Sequence, residues 1–446
     1  MKKGTALLTA GPYPANLRQA ALTAGLMMVS VLSGCGKQET GDGQQTRAGQ
    51  DKEQVHLTFL TTEAGDEQRL EYYEKLIANF ESRNPGITVE MLLGGDWQDM
   101  DTKLNAAMLS NTYPDVILCP LNTFAQRAAL GDFTDLSPYI ETWEDKEDIY
   151  EASMNIGKYQ GISYGIGGFP VPELVMYRKD YFEEAGLDPD KPPKTWEELY
   201  EYAKKLVVLD ENGNVERGGF DVPISDPNVT LMEVFMRQAG NTIIDSEKEE
   251  ICIDQESAVK AMEFLRKFVD EKLTVTYQRG TDDPVVSGKS AMGITYLDTA
   301  KKMMEEDPSL QDRVGFFPYL NGGEEASFTG YRVMAVSETC KNKDAAWEFA
   351  KYFYDSDEMW ERYEKFGNIP VRESLADAYV KENPELNKVV MQCVEKGMGR
   401  PVSGWVSVVT KYEVQAYEEI MNGVKEPEQA LKDAAQAARA ELDSTN

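Results

Sequence analysis

Seventy-seven carboxylates and a single histidine, His56, set the limits of the chemistry open to this 446-residue chain. One imidazole leaves no Ser-His-Asp triad and no histidine cluster for a metal, and no cofactor is expected. The five cysteines, Cys35, Cys119, Cys252, Cys340 and Cys393, are widely spaced with no C-x-x-C pair, so neither a zinc site nor a redox motif is suggested. The last four could form up to two disulfides or stay as thiols. Cys119 and Cys252 lie in strand-like runs (DVILCP, EICID), where a buried free cysteine behaves as a small hydrophobe. Paired carboxylates could hydrolyse glycosides, but in so acidic a chain some pair always looks suitable. Groups that pair or stack on a solute are more specific. Glu63, Asp96, Asn122 and Thr123 each follow a strand-like run, and Trp97 sits in Gly94-Gly95-Asp96-Trp97. Each polar residue could equally be a helix cap, and Trp97 a helix-start staple. Asp226 and Asn228 occupy a later turn. Arg332 could pair an acidic ligand group or a neighbouring carboxylate.

The elements that would position these residues alternate. Val55 to Thr61 reads as a strand, Glu67 to Ser82 as a helix with Leu70, Tyr73, Ile77 and Phe80 on one stripe, and Ile87 to Leu93 as a second strand. A helix over about 98–109 and a strand over 115–119 follow. Strand, helix, strand, helix, strand implies right-handed crossovers and a parallel sheet. Ligands of such sheets bind outside the carboxyl ends of the strands, which here means the loops 61–66, 94–99 and 120–124. Gly161 to Pro170 holds four glycines and a proline, suggesting a bend or crossing. Thr195 with Glu198 predicts a capping box. Trp196 and Trp347 read as core.

The net charge of −31 argues against a nucleic-acid backbone and against broad contact with anionic lipid. The N-terminus addresses a membrane in another way. Lys2 and Lys3 precede an apolar run, 20–31, of about a dozen residues, too short to span a bilayer, which needs about 20. This is the pattern of an export signal. Leu32-Ser33-Gly34-Cys35 resembles the lipobox of bacterial lipoproteins, in which Cys35 becomes the lipid-bearing N-terminus. Residues 36–54 contain Ala48 as their one apolar residue and read as a flexible tether.

Seven segments in order resemble the maltose-binding-protein-like solute-binding proteins of ABC importers (extracellular solute-binding protein family 1). They are YRKDYFEEAGL (177–187), PPKTWEELYEYAKKL (192–206), GKSAMGI (288–294), RVGFFPYL (313–320), DAAWEFAKYF (344–353), GNIPVRESL (367–375) and EPEQALKDA (426–434). The resemblance implies an α/β fold of the two-lobe periplasmic-binding-protein type, discontinuous lobes joined by a hinge, and a ligand cleft between them. Residues 1–34 would be the signal and 35–54 the tether. Lobe one would hold 55–169 and 313–355, lobe two 170–312 and 356–446, with crossings near Phe169, Asp312 and Asp355.

By the same resemblance Trp405, after Arg400-Pro401-Val402-Ser403-Gly404, would stack on a sugar ring or pack in the core. Tyr331 replaces a usually small residue beside the cleft. Tyr296 and Asp298 follow GKSAMGIT, where relatives often carry a contacting Trp that is absent here. The implied function is a monomeric lipoprotein, outside the cell membrane, that captures a sugar and delivers it to an ABC permease. An exported glycoside-acting enzyme, or a lipid-anchored sensor or adhesin on the same fold, are the alternatives.

Overall fold

A computed structural model of the chain describes residues 54–95, 100–226, 229–276 and 283–445. The expected signal, Cys35, the tether to residue 53, Asp96, Trp97 and Asn228 lie outside the described residues.

The first half of the chain alternates as the sequence predicts: β1 (Val55–Thr61), α1 (Glu67–Arg83), β2 (Ile87–Leu93), α2 (Met100–Ser110), β3 (Val116–Pro120) and α3 (Leu121–Ala129). Asp66 starts α1 by accepting the Arg69 N–H at 2.8 Å, as a good cap does. Tyr73, Leu76, Ile77 and Phe80 are buried at helical spacing. β1 pairs in parallel with β2 on one edge and with β3 on the other. The strand order therefore reverses at β1. The carboxyl ends of β1 and β3 flank that reversal, the place where open α/β sheets bind ligands.

Next come α4 (Glu151–Asn155), β4 (Gly165–Arg178), α5 (Trp196–Leu206), α6 (Thr230–Gln238) and α7 (Glu256–Asp270). Thr195 caps α5 through the Glu198 N–H at 3.2 Å. The Glu198 carboxylate reaches the Lys194 N–H at 2.7 Å, one residue ahead of the cap, instead of closing the box on Thr195. The remainder is β5 (Met292–Tyr296), α8 (Leu297–Glu306), β6 (Val314–Phe317), β7 (Ser327–Val336), α9 (Lys343–Tyr352), α10 (Ser356–Phe366), α11 (Pro384–Lys396), β8 (Gly397–Met398), α12 (Val406–Met421) and α13 (Pro427–Thr445). Among the described residues no helix is long and apolar enough to cross a membrane.

One eight-stranded sheet runs through the molecule in the order β5-β4-β7-β3-β1-β2, with β6 on β4 and β8 on β7. The expected parallel pairing holds for β1 to β3, whereas β7 runs antiparallel to both β3 and β4. Its two ends serve two cores. Phe59, Leu76, Phe80, Leu118 and Phe349 pack as one cluster over the first-half strands. Leu199, Phe220, Phe235, Phe268 and Tyr417 pack as another. The β4–β7 ribbon joins these two lobes.

Two expected lobe boundaries fall elsewhere. β6 pairs with Val175–Arg178, the far end of β4 that also carries β5, so residue 313 does not open a return to lobe one. α10 stays on the first core: Met359 packs in that cluster, and the Tyr72 hydroxyl donates to the Glu358 carbonyl at 3.2 Å. Long-range strand pairing and helix packing, which local sequence does not reveal, decide both boundaries. Cys119, Cys252, Cys340 and Cys393 are free, buried thiols.

Candidate functional site

The ribbon shows which of its faces is open. Along all of β4 and β7 only Val171, Gly330 and Arg332 are less than fully buried. Gly330 pairs with Val171, and Arg332 pairs with Gly168 on one side and with Pro120, the end of β3, on the other. The three positions thus form one patch, on one face, at the switch point. The register shifts between Gly330 and Arg332, opposite Phe169, whose φ of +50° marks the extra residue of a bulge in β4.

Glu63 enters this patch from the loop after β1. Its Oε1 accepts the Arg332 Nε–H at 2.6 Å, and its other oxygen lies 3.9 Å from Arg69. Side-chain exposures of 14 % for Glu63 and 30 % for Arg332 make this a half-sheltered pair, short as charge-assisted bonds are. Among the described residues the two terminal nitrogens of Arg332 have no hydrogen-bond partner, which leaves a pair of donors on this half-exposed side chain.

Other expected site residues divide. Asn122 is exposed in the first turn of α3. Thr123 is buried, and its hydroxyl donates to Asp101 at 3.2 Å beside Arg127, which holds both Asp101 and Asp132. It ties α2 to α3 and is not a cleft residue. Tyr331 also has to be corrected. Alternation along β7 puts Gly330 and Arg332 on the open face, so Tyr331 points the other way. It is 1 % exposed, in a cluster with Leu60, Cys119 and Phe124. It packs so closely that a Cβ on Gly167 would meet its ring at 3.0 Å and Ile156 at 2.4 Å.

Other expected residues belong to the second lobe. Tyr296 ends β5, half-buried, in register with Glu173, two residues beyond Val171. Trp405 is half-buried immediately before α12, its N–H on the Ser403 hydroxyl at 3.1 Å, and packs against the second core. A Cβ on Gly404 would stand 3.2 Å from Ala129 of α3. The segment 397–405 therefore bridges the lobes. Asp226 is fully buried in the turn before α6. Asp298 is exposed, and its charge falls on Lys301 and Tyr379, apart from the rest.

A buried ionic cluster outside the expected residues ties α6 to the segment 397–405. The two Glu233 oxygens accept Arg400 Nε and Arg237 Nη2, each at 2.9 Å. Arg237 also donates to the carbonyls of Met398 and Gly399, and its guanidinium lies over Phe328. Burial lowers the pKa of Arg237. Burial has the same tendency at Arg400, but the Glu233 carboxylate bonded to it outweighs that and raises the value. The sequence signal was present: Glu233 and Arg237 stand four apart in a helix whose nine residues are all buried.

A cavity of about 1270 Å³, bounded by Tyr150, Ile156, Met391, Met398, Arg237 and Arg400, lies toward the other side of the ribbon, where Ile156 packs on Gly167. It does not include Glu63 or Arg332.

Comparison with known proteins accords with this geometry. Putative binding proteins of Brucella abortus and Brucella suis are 24 % identical over 83 % of the chain and 90 % of their own length. The galactooligosaccharide-binding protein of Bacillus subtilis is 23 % identical over 75 % of the chain and 78 % of its length. Among solved structures, the sugar-binding protein MalE of Xanthomonas citri shares the fold with a TM-score of 0.76 at 18 % identity, covering 88 % of this chain and 98 % of its own. The cyclic alpha-maltosyl-1,6-maltose binding protein of Arthrobacter globiformis gives 0.73 at 23 %, covering 86 % and 98 %. Residues 75–388 match the family described as bacterial extracellular solute-binding protein. With most of its length matched, the chain belongs to the bacterial extracellular solute-binding proteins.

Proposed function

We propose that this protein captures an oligosaccharide between its lobes and hands it to an ABC permease without chemically altering it. It does so as a monomer tethered outside the cell membrane by lipid on Cys35. The observation that carries the reading is the Glu63–Arg332 pair on the one open patch of the ribbon. A fixed carboxylate and guanidinium offer acceptors and donors to sugar hydroxyls, and Trp405, with Trp97, offers a ring to an apolar sugar face. Pockets for small molecules combine such apolar lining with a few placed polar groups. Asp96, Asn122, Asp226 and Tyr296 complete the proposed contacts. Relatives named for galactooligosaccharide and arabinooligosaccharide binding support the solute class. So does a neighbour complexed with maltotetraose.

A thermal-shift screen with maltotetraose, mannotriose, arabinotriose and galactobiose tests it, because a ligand that binds only the native state raises its melting point. At least one sugar should raise the midpoint and be recovered intact. Recovery of cleaved sugar would instead favour the exported enzyme. For the anchor, Cys35→Ala should release the protein from membranes; equal retention of both forms in fractionated cells would refute it.

A further inference from the structure

Glu413 sits on the stripe of α12 that also buries Val409, Ala416, Tyr417 and Ile420. It is 0 % exposed, and neither of its carboxyl oxygens has a hydrogen-bond partner. Four charged groups face it: Glu233 and Arg237 from α6, Asp226 from the turn before α6, and Arg400 from the bridging segment. Asp226, Glu233 and the buried Glu173, which also acts on Arg237, already offset Arg237 and Arg400. A further carboxylate would stand unbalanced and unbonded where no water reaches, a state that buried acids avoid by keeping their proton. A metal ion does not resolve this, since among the described residues no group of three or more acidic, His or Cys side chains is placed to hold one.

Glu233 is the node that the extra charge would disturb. Through Arg400 directly, and through Arg237 on the carbonyls of Met398 and Gly399, it fastens the segment 397–405 to α6. That segment ends at Trp405 and abuts α3 of the other lobe.

We propose that Glu413 is a positioning residue: the proton it keeps leaves Glu233 free to anchor the segment that carries Trp405, and its ionisation weakens solute capture. Burial, and after it the Glu233 carboxylate, push the Glu413 carboxyl well above the ordinary carboxylate range, against the pull of Arg400 and Arg237. The inference rests on the reading of the cleft as a solute site. The folded chain holds a proton here that the unfolded chain releases near its ordinary value. Stability should therefore fall as pH rises from about 4.5 towards the raised value.

The test compares wild type with Glu413→Gln, which imitates the protonated acid, and with Glu413→Met, which places no polar atom in the site. Unfolding midpoints are measured from pH 5 to pH 9 without solute. Calorimetric titrations with the four sugars above cover the same range. The melting point of each variant should gain on wild type as pH rises. A wild-type dissociation constant should climb with pH, by at most about tenfold per unit for one linked proton, while Glu413→Gln stays level. Midpoint differences that do not change with pH overturn the buried proton. A level wild-type affinity, or a slope that survives in Glu413→Gln, overturns the positioning role. Should no sugar bind wild type at any pH, the solute reading and the positioning role fall together, while the midpoints still decide the proton by themselves.

Discussion

Arg332 and Tyr331 are neighbours in sequence with opposite fates, and the two-residue period of β7 decides between them. Replacing Tyr331 by Ala empties a closed core site and should cost about 3–5 kcal/mol of stability. The affinity of the surviving folded fraction should be unchanged, as paired unfolding and calorimetric titrations would show. Trp405→Ala should do the reverse. It removes a half-buried ring at an open edge and should weaken sugar binding by about 1–3 kcal/mol, or roughly tenfold to a hundredfold, with a smaller loss of midpoint. A collapsed midpoint with normal residual affinity would return Trp405 to the core. The sequence placed Glu63 and Arg332 separately in the site; only the pairing of β7 with β3 puts them in contact. Family position points Tyr331 at the cleft, and alternation along a strand as apolar as Val333–Val336 is too weak a signal to overrule that. Thr123 looked like a loop residue because α3 begins directly at Leu121, with no intervening loop. Glu233, Arg237 and Glu413 were legible as charges inside apolar stripes, but only tertiary structure assembles them.

At the scale of elements, the β4–β7 ribbon depends on small residues where other chains cross it. A Cβ on Gly167 would come within 2.4 Å of Ile156 Cγ2 and 3.0 Å of the Ser153 carbonyl. Gly167→Val should therefore force α4 away from the ribbon and destabilise by about 1–3 kcal/mol, the usual cost of overpacking. Ile156→Ala in the same chain should restore part of that, read as a non-additive double-mutant cycle in urea. Additive losses would mean that α4 yields elsewhere. The strands and helices of the first half were legible because each is a local pattern: Asp66 capping α1, the stripe Tyr73, Ile77 and Phe80, and Asn84-Pro85-Gly86 closing it. The lobe boundaries at 313 and 356 were not, because β6 chooses its partner across some 140 residues of chain and α10 is held by a hydrogen bond from Tyr72.

For the whole molecule, two lobes on one ribbon can rotate as rigid bodies about it, as hinge-closing proteins do. Small-angle scattering should give a smaller radius of gyration at saturating sugar, and an unchanged curve would count against closure. Stability should have two pH limbs of opposite sign. Burial tends to raise the Asp148 carboxyl, but bonds from Ser374 and the guanidinium of Arg372 outweigh it and lower the value. A depressed acid contributes stability above its ordinary pKa, and this is lost as pH falls through the folded value. Glu413 acts the other way and erodes stability as pH rises. Melting points across pH should accordingly decline on both sides of a maximum, and Asp148→Asn should flatten only the acid side.

The cleft itself is tested most directly by isothermal titration of wild type and Arg332→Ala with whichever of the four sugars gives the largest thermal shift. Hydrogen bonds to a charged group contribute about 1.5–3 kcal/mol, so the variant should bind roughly tenfold to a hundredfold more weakly while its unfolding midpoint stays close to that of wild type. Equal affinity in two equally folded proteins would contradict the assignment of the open face of the ribbon as the place where solute is held.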